Sequence, residues 1–247
     1  MGEDGPRERA PLGGPIADAA PQRRRVLYGR RRGRRLRPGR RDALDSVLPR
    51  IEIALPRPGA LDLPALFDDA AEIWLEVGFG AGEHLAAQAA ANPGVGFIGC
   101  EPYLDGVAKL AARIEEAGLR NIRVFRDDAR LLLDALPDAS IGRAFVLFPD
   151  PWPKARHHKR RFLSRDGFQA LARAMKDGAE LRVATDDAGY EGWIREHAAA
   201  EGSFRLAADS RARPPDWPAT RYEEKAVAAG RRPAYFSFVR RNRHPHP

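Results

Sequence analysis

From residue 72 onward the chain alternates short apolar runs with stretches of helical periodicity. The runs "EIWLEVGFG" (72 to 80), "GFIGCEP" (96 to 102), "IRVFRDD" (122 to 128), "IGRAFVLFPD" (141 to 150) and "AELRVATDD" (179 to 187) are nearly continuous in hydrophobic residues. Such runs predict strands buried on both faces, and each here ends in a polar or glycine-rich loop. In "YLDGVAKLAARIEEAGL", Val107, Leu110 and Ile114 recur at helical spacing, and Gly118 stands where a helix would stop. "SRDGFQALARAMKDG" offers Ser164 as a cap, Phe168, Leu171 and Met175 as an apolar stripe, and Gly178 as the end. Tyr190, Ile194 and His197 share one face of a further helix, and "FRLAAD" and "AYFSFVRR" read as closing strands with no long helix between them. The pattern predicts a doubly wound, Rossmann-like α/β fold: a mostly parallel seven-stranded sheet with helices on both faces.

Composition changes the picture at one end of the chain. Of 42 Lys and Arg and 34 Asp and Glu, residues 1 to 41 hold thirteen and four, leaving 29 against 30 in the remainder. The net charge of +8 therefore belongs to an arm and not to the body. Residues 1 to 41 predict a disordered, RNA-binding arm, with eleven Arg between Arg23 and Arg41, and residues 42 to 247 a folded domain. A single cysteine, Cys100, excludes an internal disulfide and suggests a reducing compartment. The start lacks an apolar stretch of the kind a secretory signal needs, and no later segment has the length of a membrane span, so the expected location is the cytoplasm.

In an open α/β sheet, ligands bind at the carboxyl ends of the strands. The acids Glu101, Asp127, Asp128, Asp150, Asp186 and Asp187 all fall there, although any one of them would also serve as a helix cap. "LEVGFGAGEH" puts Gly78, Gly80 and Gly82 after the first strand, where a ligand can approach the backbone. The dinucleotide fingerprint would want a small residue at position 83, which is Glu83 here, and Glu76 would repel phosphate but hold an ammonium group. Glu101 lies 23 residues after Gly78, about where an acid holds the ribose hydroxyls of an adenosine. With Asp128 in position to accept from an adenine amino group, the set points to S-adenosylmethionine.

The loop after the fourth predicted strand, "FPDPWPKARHHKRRF" (148 to 162), carries Asp150 between prolines and a basic run behind it. It resembles the [D/N/S]-P-P-[F/Y/W] loop of base-amine methylases, with one proline where those have two. Taken with "LEVGFGAGEH", "GCEPY", "LRVATDDAGY" and "TRYEEKAVAAG", it is more closely similar to the bacterial tRNA (guanine-N7-)-methyltransferases, and the likeness runs over nearly all of residues 26 to 240. That resemblance implies a class I methyltransferase acting on the variable-loop guanine of tRNA. It implies cofactor binding by Glu76, Glu101, Asp128 and Asp150, with Asp150 also catalytic. Lys154, Asp186, Thr220, Arg221, Tyr222 and Glu223 match its substrate-binding positions, and Arg156, His157, His158, Lys159, Arg160 and Arg161 its RNA-contacting segment. "MKDGAE" departs from the family's turn before the fifth strand. Trp152 either stacks on a base or anchors the loop. His157 and His158 lack a Cys or acid at ligand spacing, so no metal is expected. A base-amine methylase and a catalytically silent RNA-binding protein stand as the alternatives, and monomer and homodimer remain equally open.

Overall fold

The computed structural model describes residues 31, 36–56, 59–67 and 69–243. Seven strands, β1 (Glu72–Val77), β2 (Val95–Cys100), β3 (Ile122–Phe125), β4 (Ile141–Leu147), β5 (Met175–Thr185), β6 (Phe204–Ser210) and β7 (Ala234–Arg240), form one sheet in the order β3-β2-β1-β4-β5-β7-β6. The first five are mutually parallel and β7 runs antiparallel between β5 and β6. The order reverses between β1 and β4, which makes that crevice the switch point.

Alternation along the strands sends side chains to two separate cores. Leu75, Val77, Val146, Val183, Phe236 and Phe238 pack under α4 (Ala129–Ala135), α5 (Arg165–Ala174) and α6 (Ala188–Glu201). Trp74, Phe97, Phe145 and Tyr235 face α1 (Pro38–Ile51), α2 (Glu83–Ala91) and α3 (Leu104–Ala117). The expected stripe of α3 is buried as Val107, Leu110 and Ile114, and Gly118 ends that helix in the left-handed region, φ 63°. Ser164 caps α5 by accepting from the Gly167 N–H.

Two local expectations are corrected. α5 stops at Ala174, ahead of Gly178, because Met175 already pairs with Ile141 in the sheet. Gly178, φ 77°, instead turns the backbone before Glu180 rejoins the register opposite Arg143. Pro38–Arg41, assigned by sequence to the arm, forms the first turn of α1, and Arg40 pairs with Asp105 of α3 at 3.2 Å. Residues 1–30 and 32–35 of the expected arm lie outside the described residues. Between β6 and β7 there is only a short helix, α7 (Arg221–Ala228). Among the described residues no helix is long and apolar enough to cross a membrane.

Candidate active site

The crevice is floored by the turn from β1 into α2. Gly78, Gly80 and Gly82 all have positive φ, which side-chain-bearing residues seldom adopt. Gly82 is additionally fixed by packing, since a Cβ there would stand 2.7 Å from Leu110. Gly78 is exposed and faces open space. Gly80 lies under the ring of Tyr222, whose Cε2 would be 2.6 Å from a Cβ at that position.

Alternation in β1 turns Glu76 toward the α2 side, where His84 of the first helical turn meets it. The Nδ1 of His84 lies 2.8 Å from Glu76 Oε2, and both side chains are buried. His84 also rests edge-on against Phe145, with ring centroids 4.8 Å apart. Glu76 therefore carries a protein partner before any ligand arrives.

Glu101, just past β2, is held by two backbone donors: the Gly80 N–H to Oε2 and the Tyr103 N–H to Oε1, each at 2.9 Å. Burial raises its pKa, the two N–H groups oppose the rise, and the nearby charges of Asp150 and Glu76 add to it. Asp128 caps α4, accepting the Arg130 N–H on Oδ1 at 3.0 Å. Its Oδ2 is buried and has no hydrogen-bond partner among the described residues. A buried acceptor of this kind is costly unless some donor reaches it. A cavity of about 370 Å³ opens beside these residues, lined in part by Pro102, Leu104, Phe125 and Asp127. The set fits an adenosyl cofactor: a fixed acid for hydroxyls, an orphaned acceptor for an exocyclic amine, and an open glycine for close approach.

Asp150 emerges from β4 at the mouth of the crevice, exposed, yet with its carboxyl pKa raised by partial desolvation. Tyr222 feels the same group: burial raises its hydroxyl pKa, and Glu101, Asp150 and Glu83 add to the effect. Glu76, Glu101, Asp150 and Tyr222, from three strand ends and α7, thus form one electrostatic neighbourhood. Phe148 and Trp152, on either side of Asp150, have φ 51° and 45°. The Arg160 guanidinium lies over the Trp152 ring, 4.8 Å from its centroid, and the Trp152 and His157 rings meet in a T-shaped pair with centroids 6.0 Å apart.

The basic segment divides in two. Lys154, Arg156 and Lys159 project into solvent along a 3-10 helix, Ala155–Arg160. His157 and His158 are half-buried, His158 against the Trp193 ring at 5.3 Å, and Arg160 is half-buried on Trp152. Arg161 departs from the sequence expectation altogether: it is 4% exposed and donates from Nε to the Pro151 carbonyl at 2.8 Å.

The residues expected to hold substrate divide similarly. Asp186, at the end of β5, accepts from Arg231 Nε at 2.6 Å and lines a cavity of about 440 Å³ with Ala188, Glu191, Arg211, Arg231 and Arg232. Thr220 is buried as the cap of α7, accepting the Glu223 N–H at 3.1 Å. Glu223 is buried too, accepting from the Tyr235 hydroxyl at 2.6 Å and paired with Arg213 at 3.0 Å. Of the run Thr220, Arg221, Tyr222 and Glu223, only Arg221 and Tyr222 are exposed. The Thr-x-x-Glu spacing in the sequence marks a helix cap, which Thr220 supplies, whereas the Glu223 carboxylate is turned inward by Tyr235 and Arg213. His84, Arg213 and Arg231 escaped the sequence reading; for the two arginines, whose partners lie elsewhere in the chain, no local signal existed. Among the described residues no group of three or more His, Cys, Asp or Glu is arranged to hold a metal.

A family model described as "Putative methyltransferase" matches residues 70–235. The tRNA (guanine-N(7)-)-methyltransferase of Paramagnetospirillum magneticum is 48% identical over 232 residues, covering 92% of this chain and 97% of its own. That of Rhodospirillum rubrum is 49% identical over 229 residues, covering 90% of each. Among solved structures, the 16S rRNA methyltransferase KamB superposes with a TM-score of 0.56 at 17% identity, over 71% of this chain and 90% of that one. At that identity the likeness speaks for the fold alone, a class I methyltransferase sheet.

Proposed function

We propose that this chain, which belongs to the tRNA (guanine-N(7)-)-methyltransferase family, transfers a methyl group from S-adenosylmethionine to N7 of the variable-loop guanine of tRNA. The observation that carries the cofactor side is the orphaned, buried Oδ2 of Asp128 at one end of a crevice whose other acids are already oriented. In this reading Asp128 accepts from the adenine amino group, Glu101 accepts from the ribose hydroxyls, and Glu76, steadied by His84, takes the ammonium of the amino-acid tail. The bound cofactor supplies an electrophilic methyl on a sulfonium sulfur.

Guanine N7 has an in-plane lone pair and carries no proton, so the chain needs no general base. What the protein must supply is alignment, with the entropy of approach already lost on binding. As the N–C bond forms and the S–C bond breaks, positive charge moves onto the purine. Asp150 stands where a fixed carboxylate can accept from the guanine amino edge and stabilise that charge. Lys154, Arg156 and Lys159, all exposed beside the loop, contact phosphates. Asp186, Arg221 and Tyr222 flank the acceptor nucleotide, while Thr220 and Glu223 hold α7 in place from within.

The test is methyl transfer itself. The purified chain, given methyl-labelled S-adenosylmethionine and tRNA lacking the modification, should label the RNA, and Asp150→Ala should lose most of that turnover with its fold intact. An absence of label in the wild-type reaction, or near-native turnover in the variant, would defeat the reading.

A further inference from the structure

We infer that Arg161 is a positioning residue that braces the Asp150 loop from within, and not one of the phosphate contacts its place in the basic run suggests; the inference rests on the role proposed for Asp150. The loop it serves is poorly able to hold itself. Pro149, Pro151 and Pro153 have no N–H, so alternate positions through the loop cannot donate a backbone hydrogen bond. Phe148 and Trp152 both sit in the left-handed region, at φ 51° and 45°, and each directly precedes a proline, whose ring narrows its choices further. Strained conformations of this kind persist only where the surroundings over-determine them.

On the entry side the anchor is the sheet: the Phe148 N–H donates to the Ala184 carbonyl of β5 at 2.8 Å. On the exit side it is Arg161. Its Nε donates to Pro151 O at 2.8 Å and its Nη1 to Gly189 O, in the first turn of α6, at 3.4 Å. The guanidinium lies against two aromatic rings of the same helix, 4.9 Å from the centroid of Tyr190 and 5.0 Å from that of Trp193. Two residues on, Leu163 is pinned to the same rings, its N–H donating to the Tyr190 hydroxyl at 3.1 Å and its carbonyl accepting from Trp193 Nε1 at 2.8 Å. One side chain thereby ties the backbone next to Asp150 to the start of α6, which Asp187 caps and Asp186 precedes. At 4% exposure, with Nε and Nη1 turned to two carbonyls and two rings beside its guanidinium, Arg161 is out of reach of a phosphate.

Arg161→Lys tests this in the full-length protein, because lysine keeps the charge but not the fork. Three quantities are read: amide exchange at Trp152, Lys154 and Ala155; kcat and KM on tRNA; and the salt dependence of tRNA binding. Exchange in the loop is expected to quicken about tenfold. Turnover should fall about 10- to 100-fold, since small misplacements at a reacting centre cost that much, while KM and the salt slope stay near wild type. Lys159→Ala provides the contrast, with a salt slope shallower by about 0.9, one phosphate contact. Trp193→Phe removes the donor to Leu163 but keeps a ring, so it should show a milder form of the Arg161→Lys pattern; it carries the test should the lysine variant not fold. A shallower slope in Arg161→Gln, which removes the charge, with exchange and turnover unchanged, would make Arg161 a phosphate contact and overturn the inference, as would a loop whose exchange is unaltered in both Arg161→Lys and Trp193→Phe. If the wild-type protein methylates no RNA, the exchange measurement still decides the brace, separately from the catalytic reading.

Discussion

Replacing His84 with alanine isolates the support beneath the cofactor acid. The imidazole is 2% exposed, 2.8 Å from Glu76 Oε2, and set edge-on to Phe145. Its removal strips a hydrogen bond from a charged acceptor that is itself 3% exposed, which costs about 1.5–3 kcal/mol. The lost ring contact adds about 1 kcal/mol, so a destabilisation of about 3 kcal/mol is expected. For a domain of this size that lowers Tm by about 6–12 °C. Followed by circular dichroism, His84→Ala should melt within that range below wild type. His84→Gln, which keeps a donor of similar reach, should recover at least half of the loss. Calorimetry should show S-adenosylmethionine binding weakened in the alanine variant, because the freed carboxylate is no longer fixed. A melting point within 2 °C of wild type, with cofactor affinity unchanged, would refute the assignment of His84 as the partner that holds Glu76.

Asp150 yields a prediction in pH. Desolvation raises its carboxyl pKa, so the ionised form is lost as pH falls through a value above the ordinary 3.8, and kcat/KM should drop with it. In Asp150→Asn, kcat should fall about 10²–10³-fold. Loss of this like-charged neighbour should also lower the pKa of Glu101, read from its carboxyl titration by NMR; an unchanged Glu101 titration would contradict this. The basic arm yields another: removing residues 1 to 30, which spares Arg31 on Asp127 and leaves α1 whole from Pro38, should flatten the salt dependence of tRNA binding while calorimetric affinity for S-adenosylmethionine stays the same. An unchanged salt slope would exclude the arm from RNA contact.

The sheet was legible because its strands are buried on both faces and therefore continuous in apolar residues; β1 to β5 begin or end within a few residues of their expected bounds. The helix α1 was passed over, although Leu44, Val47 and Ile51 recur at helical spacing behind Pro38. Its stripe is only three hydrophobics long and follows directly on an arginine-dense segment. At the candidate site, position along the chain brings Glu101, Asp128 and Asp150 to strand ends, which converge in any doubly wound sheet. It does not say which way Arg161 or Glu223 faces. Whether a charged side chain faces solvent or the interior depends on partners such as Pro151 O and Tyr235, set by tertiary packing and not by the local sequence.

The most direct test of the central claim is the chemistry of the methylated nucleotide. Transfer RNA methylated by the purified chain, then reduced with borohydride and treated with aniline, breaks only at 7-methylguanosine. A single cleavage in the variable loop, present with the wild-type chain and absent with Asp150→Ala, is the predicted result. Methyl label incorporated into RNA that stays uncleaved would put the methyl on another nitrogen and contradict the account.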